Sequence, residues 1–191
     1  HAVRADLLAA AEQAGSLTPV IAGQSVRALQ DLCAAGVDVV VLTCSTLGPV
    51  VTPQDVTPSS QFAPVPVLRV DAALAEAAVR KGGRIAVLYA VETTREPTSV
   101  LFERAAAATG ATIDMQLVPE AWAAFKAGRR DEYWDRVTAA ADAAFAGGAK
   151  VVALAQASMA GAAGRCRTGV PLTSPGAGLQ LAVEAATVRH S

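Results

Sequence analysis

The chain has 191 residues, of which 52% are hydrophobic and 4% aromatic, so one large or two small domains must have cores built mainly of Ala, Val and Leu. Its 16 basic and 17 acidic residues are scattered and leave a net charge of −1, which argues against binding to nucleic acid or to an anionic membrane surface. No apolar stretch reaches the roughly 18 residues of a membrane-spanning helix, and no signal peptide is recognisable, so we predict a cytoplasmic protein.

Short apolar runs alternate with helical patterns along the chain. The first part predicts, in order, helices over 3–14 and 24–35, strands over 37–43 and 65–70, and a helix over 72–80. Prolines between Leu47 and Pro64 predict a long loop, placed where a lid would be expected. The second part predicts, in order, a strand over 84–90, a helix over 96–109 with Pro97 in its first turn, a strand over 112–118, one or two helices within 120–147, a strand over 150–155, a loop or short helix over 161–165, a strand over 170–174 and a helix over 177–188. This alternation predicts an α/β fold with parallel sheets.

Two segments look like copies of one motif. GVDVVVLTCST at 36–46 and GAKVVALAQAS at 148–158 are both buried-strand patterns that end in small hydroxyl residues, and the sequences that follow them, from Pro66 and Pro171, also resemble each other. The repeat predicts two pseudo-symmetric halves, each a parallel sheet of about four strands flanked by helices, with the active site in the cleft between them.

The repeat also predicts where the halves begin and end. We place the first half at 1–82, the second at 83–175, and a closing helix at 176–191 that packs back toward the first half. The second copy of the motif is preceded, between Arg84 and Ala149, by room for a strand, a helix, a strand and a helix, whereas the chain before Val37 has room only for helices. The first copy lacks this room, so we expect the opening elements of the first half to be missing from this sequence.

The most informative site residues are Cys44 and Gln156, which end the two copies of the strand. Backbone N–H groups at the carboxyl end of a parallel strand favour anions, so we expect the pKa of Cys44 to fall below the free thiol value of about 8.5. A buried cysteine that only packs is the alternative. The amide of Gln156 can orient a substrate but does not exchange protons near neutral pH, and the alternative is an amide that ties down a loop.

Small and hydroxyl residues follow several predicted strands and, with backbone N–H groups, could hold a carboxylate. No lysine or arginine stands among them, which indicates binding by neutral donors, although each residue alone is also a common cap or turn former. The predicted substrate-binding residues are Ser45, Thr46, Thr93, Thr94, Ala157 and Ser158.

The other cysteines and the remaining motifs exclude several kinds of site. Cys33 lies on the apolar face of a predicted helix and is assigned to the core. Cys166 lies between Arg165 and Arg167, which would promote thiolate formation if all three were exposed, although a loop thiol without a catalytic role is the simpler interpretation. The three cysteines form no CxxC pair, and no GxGxxG or GxxxxGK[ST] loop is present. We therefore predict reduced thiols, no metal site and no cofactor.

The segments VVVLTCSTLGPV and VVALAQASMAGAA, the latter followed by GVPLTSPGAG, resemble the two signature regions of the aspartate/glutamate/hydantoin racemase superfamily. The resemblance covers essentially the whole chain and implies two pseudo-symmetric α/β halves without a cofactor. In the racemases, two cysteines flank a carbon acid from opposite sides. Cys44 matches the first of these, whereas the second position falls on Gln156.

The resemblance implies an enzyme that acts on a small carboxylate, such as an amino acid or dicarboxylate, with Cys44 as single acid/base or nucleophile. Two-base racemisation needs a proton-transfer group on each face of the carbon, and Gln156 supplies none. The alternatives are decarboxylation of a malonate-type substrate, as in the arylmalonate decarboxylase branch, cis-trans isomerisation, as in the maleate isomerase branch, and carboxylate binding without turnover. The decarboxylase branch keeps its cysteine in the other half, and the isomerase branch keeps both. A homodimer is the usual expectation for such folds.

Overall fold

Two parallel β-sheets form the framework of the chain in a computed structural model, which describes residues 1–52 and 60–189, with side chains to 187. The helices and strands are, in chain order, α1 (Ala5–Ala14), α2 (Pro19–Cys33), β1 (Val40–Leu42), β2 (Val67–Arg69), α3 (Val70–Lys81), β3 (Arg84–Tyr89), α4 (Glu92–Ala106), β4 (Thr112–Leu117), α5 (Ala121–Lys126), α6 (Arg130–Ala146), β5 (Val151–Leu154), β6 (Leu172–Thr173) and α7 (Ser174–Arg189). A 3-10 helix follows β1 at Gly48–Val50, and another follows β5 at Ala157–Arg165. The α/β class with parallel sheets is confirmed.

The first sheet pairs β1 with β2 in parallel, with Val40 opposite Val67. Its core includes Leu29 of α2 and Phe62, both nearly inaccessible to solvent. Within the described residues this sheet has two strands, the two predicted over 37–43 and 65–70, rather than about four as in the second half, and the chain before β1 forms the helices α1 and α2.

The second sheet has four parallel strands in the order β4-β3-β5-β6. Alternate side chains of β3 enter different cores: Ile85 and Val87 pack with α3 and α4, while Ala86 and Leu88 pack with α5 and α6. The strand is therefore buried on both faces, which explains why its sequence is an almost continuous apolar run.

The strand order reverses beside β3. The chain passes from β3 to its neighbour β4 on one side and then returns to β5 on the other side. The carboxyl ends of β3 and β5 therefore lie at a topological switch point, where open α/β sheets commonly bind ligands.

Helix α7 contacts both sheets and packs closely on α3. A Cβ atom at Gly178 would lie 2.4 Å from Val70 Cγ1, so glycine is required for this approach. Leu179, which the repeat aligns with the fully buried Leu74, is instead 67% exposed. The similarity of these two helical sequences therefore does not extend to their packing.

The start of α4 differs from the sequence prediction. The helix begins at Glu92, because Val91 takes an extended N-cap conformation directly after β3. Thr93 and Thr94 therefore lie in its first turn instead of before it, and Pro97 lies inside the helix instead of in the first turn. Since proline has no N–H, Pro97 cannot donate to the carbonyl of Thr93 as another residue would.

The start of α2 and the predicted lid loop also differ from what the sequence shows or lie outside the described residues. Helix α2 begins at Pro19, earlier than predicted, because the Thr18 hydroxyl accepts a hydrogen bond from the N–H of Ile21 and caps the helix. The predicted lid loop falls largely on 53–59, outside the described residues. No helix within 1–52 or 60–189 combines the length and the apolar character needed to cross a bilayer.

Candidate active site

A cavity of about 180 Å³ lies where segments that follow the carboxyl ends of β1, β3 and β5 meet. The segment after β1 contributes Cys44 with its neighbours Ser45 and Thr46, and the segment after β5 contributes Gln156 with Ala157 and Ser158. Thr94, from the first turn of α4, also lines the cavity. The structure therefore brings seven of the eight predicted site residues to one cavity, and the eighth, Thr93, contacts it through Thr46.

Cys44 is half-buried and packs beside an apolar cluster that includes Leu7, Ile21 and Leu47. This burial raises the pKa of the Cys44 thiol, and the backbone N–H groups of Leu47 and Thr46 only partly oppose the effect by stabilising the thiolate. The expectation that the pKa falls below its usual value is therefore wrong. Helices α1 and α2 cover the strand end and desolvate the sulfur, which the local sequence does not show.

We expect the alkylation of Cys44 by iodoacetamide to keep rising with pH through the ordinary thiol pKa of about 8.5. The thiolate is the reactive form, so a raised pKa moves the whole profile to alkaline pH. The measurement uses a Cys33→Ala/Cys166→Ala double variant, in which Cys44 is the remaining thiol, with mass spectrometry as readout. A plateau at neutral pH would contradict the raised pKa.

Gln156 joins the carboxyl ends of β3 and β5. Its Oε1 accepts a hydrogen bond from the Ala90 N–H at 2.6 Å. The oxygen is thus occupied by the backbone, and the amide nitrogen is the donor that Gln156 can offer to a ligand in the cavity. The two alternatives for this residue, a structural tie and a binding group, are therefore compatible.

The hydroxyls after β1 connect the two sheets. Ser45 Oγ donates to the Ala155 carbonyl at 3.3 Å, and Thr46 Oγ1 lies 3.1 Å from Thr93 Oγ1 and 3.3 Å from Thr94 Oγ1. Ser45, Thr46 and Thr94 are buried. These contacts hold the Cys44 segment against the second sheet, so the hydroxyls position the site as well as lining it.

Two aromatic residues of α6, which the sequence analysis did not single out, support Ser158. The hydroxyl oxygens of Tyr133 and Ser158 lie 2.7 Å apart, and Trp134 Nε1 donates to the Ser158 carbonyl at 3.0 Å. Tyr133 is inaccessible to solvent, and burial raises its pKa to about 12, so it remains a neutral phenol. Their adjacency in an alanine-rich helix was the signal that could have found them, since aromatic residues are 4% of the chain.

The remaining wall of the cavity is apolar and was also missed. It consists of Leu8 from α1, Val91 before α4, and Trp122 and Phe125 from α5. These helices are distant in sequence from the repeated motif, so the motif carries no signal for them.

Cys33 and Cys166 do not line this cavity. Burial raises the pKa of the Cys166 thiol, and its Sγ donates to the Ala162 carbonyl at 3.4 Å. Arg165 is bound to Asp131 and Asp135, and Cys166 is only partly exposed, so the condition under which the two arginines would promote a thiolate is not met. Across 1–52 and 60–189, no three His, Cys, Asp or Glu side chains are grouped so that they could hold a metal ion.

Known proteins share the fold of this chain. Residues 6–185 match the protein family described as Asp/Glu/Hydantoin racemase. A glutamate racemase isoform of Bacillus anthracis superposes with a TM-score of 0.55 at 14% identity, covering 87% of this chain and 66% of that chain, so the present chain spans just under two thirds of it.

A second solved structure is a glycine-to-cysteine mutant of arylmalonate decarboxylase in a sulfate-associated form. It superposes with a TM-score of 0.53 at 20% identity, covering 91% of this chain and 79% of that chain. At these identities, both likenesses show a shared fold. A comparison with curated proteins found no match.

Proposed function

Because the chain belongs to the Asp/Glu/hydantoin racemase family, we propose that it is a cofactor-independent enzyme that transfers a proton at the carbon next to a carboxylate, with Cys44 as its single acid/base. The observation that carries the proposal is the composition of the cavity. Among the described residues that line it, Cys44 is the one with a side chain that exchanges protons in the accessible pH range. The resemblance of the two signature regions supports a single acid/base, because it aligns Gln156 with the second cysteine of the racemases.

The proposed reaction uses one face of the substrate. The Cys44 thiolate takes the proton from the carbon and becomes a thiol, while the electron pair of the broken C–H bond moves into the adjoining carboxylate. The amide nitrogen of Gln156 and nearby N–H groups stabilise the enolate-like charge. The same thiol then returns a proton to the same face, so the configuration of the carbon is retained.

The test is proton exchange in deuterated water. We expect the enzyme to introduce deuterium at the α-carbon of an accepted carboxylate without inverting it, as followed by NMR and chiral chromatography. Amino acids, dicarboxylates and α-substituted carboxylates form the panel. Inversion at the rate of exchange would show a second acid/base and overturn the single-base proposal. Binding without any exchange would favour a carboxylate-binding protein that has no turnover.

Decarboxylation is a second candidate, and the burial of Cys44 favours it. Because its pKa is raised, Cys44 is mainly a thiol at neutral pH and is ready to donate a proton. Loss of CO₂ from a malonate-type substrate leaves the electron pair of the C–C bond on the carbon, and the Cys44 thiol would protonate it on one face. Release of CO₂ from a substituted malonate, with a single enantiomer as product, distinguishes this reaction from simple exchange.

A further inference from the structure

The aromatic wall of the cavity is built from neighbouring turns of α5. Trp122 and Phe125 both line the cavity, and their rings stack with centroids 4.8 Å apart and planes 11° apart. Leu8 of α1 extends the same apolar wall. Aromatic rings at a cavity wall give the flat ring of a ligand a partner for edge-to-face or offset-stacked packing.

Trp122 is held in one orientation by the first helix. Its Nε1 donates to Glu12 Oε1 at 3.0 Å, and Glu12 Oε2 lies 3.5 Å from Lys126 Nζ. The indole N–H is therefore engaged by α1, and Trp122 can contact a ligand only through ring carbons. Phe125, although large and apolar, is still 41% exposed. Part of its surface is therefore available for contact with a ligand.

The aromatic wall is connected to the polar end of the cavity. The Phe125 ring packs at a tilt against Tyr133, with centroids 5.2 Å apart, and the Tyr133 hydroxyl is hydrogen-bonded to Ser158. Tyr133 is completely buried. The apolar wall and the hydroxyl of Ser158 are therefore held in a fixed relation to each other by α5 and α6.

The charge of the lining limits the number of carboxylates in a ligand. No lysine, arginine or histidine is among the described residues that line the cavity. A carboxylate removed from water without a counter-charge needs several hydrogen-bond donors. The polar side chains of the lining come from the Cys44 and Gln156 segments and from Thr94, whereas Leu8, Val91 and Phe125 offer no donor and the Trp122 N–H is bound to Glu12. The lining therefore has donors for one carboxylate and no counter-charge for a second.

The size of the cavity agrees with a ligand that carries one ring. Its volume is about 180 Å³. An apolar cavity of about 150 Å³ in another protein accommodates benzene. A single ring with a carboxylate on a short connection therefore has a size that suits the cavity.

From these observations we infer that the substrate is a monocarboxylate whose α-carbon carries a flat aromatic group. The ring packs against Trp122 and Phe125, and the carboxylate binds the amide and hydroxyl donors near Gln156. This inference rests on the proposed function, because Cys44 would act on the carbon between the two groups. Trp122 and Phe125 are then specificity-determining residues, and amino dicarboxylates are poor ligands.

The test measures binding in a Cys44→Ser variant, so that turnover plays no part. Phenylacetate, acetate and succinate are titrated, with ligand-observed NMR as readout. We expect phenylacetate to bind about tenfold more tightly than succinate, and Phe125→Ala to weaken phenylacetate binding by about tenfold while leaving acetate binding unchanged. Val170→Ala is the matched control, because Val170 is 86% exposed and does not line the cavity. Phe125→Leu, which keeps apolar bulk without a ring, should be intermediate.

Tighter binding of succinate, no detectable binding of phenylacetate, or unchanged phenylacetate binding in folded Phe125→Ala would each overturn the inference. The test of the proposed function is separate. Phenylacetate binding together with no exchange by the wild-type enzyme on any α-aryl carboxylate would remove the function and keep the ligand class. Exchange confined to amino dicarboxylates would remove the ligand class and keep the function.

Discussion

In the Cys44→Ala variant, deuterium exchange into an accepted carboxylate should fall by about a hundredfold to ten-thousandfold, the range that a positioned general acid or base contributes. The loss should be this large because no other cavity-lining residue described in the structure can replace the thiol as a base. The fall should appear in kcat and leave the binding of the carboxylate largely intact, since Cys44 contacts the carbon rather than the carboxylate donors. Exchange is measured by NMR in deuterated water, and binding by titration.

The other two cysteines provide matched controls for this variant. Cys33 and Cys166 are also partly buried, have raised pKa values and do not line the cavity. Cys33→Ala and Cys166→Ala should therefore keep the exchange rate of the wild-type chain. Exchange that persists at the wild-type rate in a folded Cys44→Ala variant would remove Cys44 from the reaction.

The repeated motif was sufficient to predict that Cys44 and Gln156 lie at one cavity. Cys44 and Gln156 follow buried parallel strands, and strands of this kind deliver their last residues to one edge of a sheet, so both side chains were expected at one cleft. The structure places both at the same cavity. This part of the site follows from local periodicity, which sequence shows directly.

The rest of the site depends on packing between distant segments. Trp122 enters the cavity wall because α5 lies against α1, and the contact between Trp122 and Glu12 joins residues more than a hundred positions apart. The raised pKa of Cys44 has a similar origin, since helices α1 and α2, which lie outside the motif, bury the sulfur. No periodicity within one segment contains this information.

The Asp71→Asn variant should lose about 3 to 5 kcal/mol of unfolding free energy, the usual result of removing one partner of a buried ion pair. Asp71 is 2% exposed and accepts hydrogen bonds from Arg69 Nε at 3.0 Å and Nη2 at 2.8 Å. Without the carboxylate, the Arg69 guanidinium would remain buried without a counter-charge. A loss of this size is a large part of the roughly 5 to 15 kcal/mol that stabilises a typical domain.

The Arg69–Asp71 ion pair lies next to the segment that carries Cys44. A Cβ atom at Gly48 would lie 2.3 Å from Arg69 Nη2, so the guanidinium lies directly against the 3-10 helix that follows the Cys44 segment. Displacement of Arg69 should therefore also disturb Cys44. We expect the pH profile of Cys44 alkylation in Asp71→Asn to differ from that of the parent chain.

The chain contains a matched control for the unfolding measurement. Arg4 and Asp6 have the same sequence spacing and a similar two-bond geometry, but the Asp6 side chain is 62% exposed. An exposed pair is solvated after either partner is removed, so Asp6→Asn should not change the urea midpoint measurably. If Asp71→Asn and Asp6→Asn unfold at the same urea midpoint, burial does not determine how much the Arg69–Asp71 pair contributes to the free energy of unfolding. A lower midpoint for Asp71→Asn alone would show that the desolvated guanidinium causes the loss, because the two substitutions remove the same chemical group.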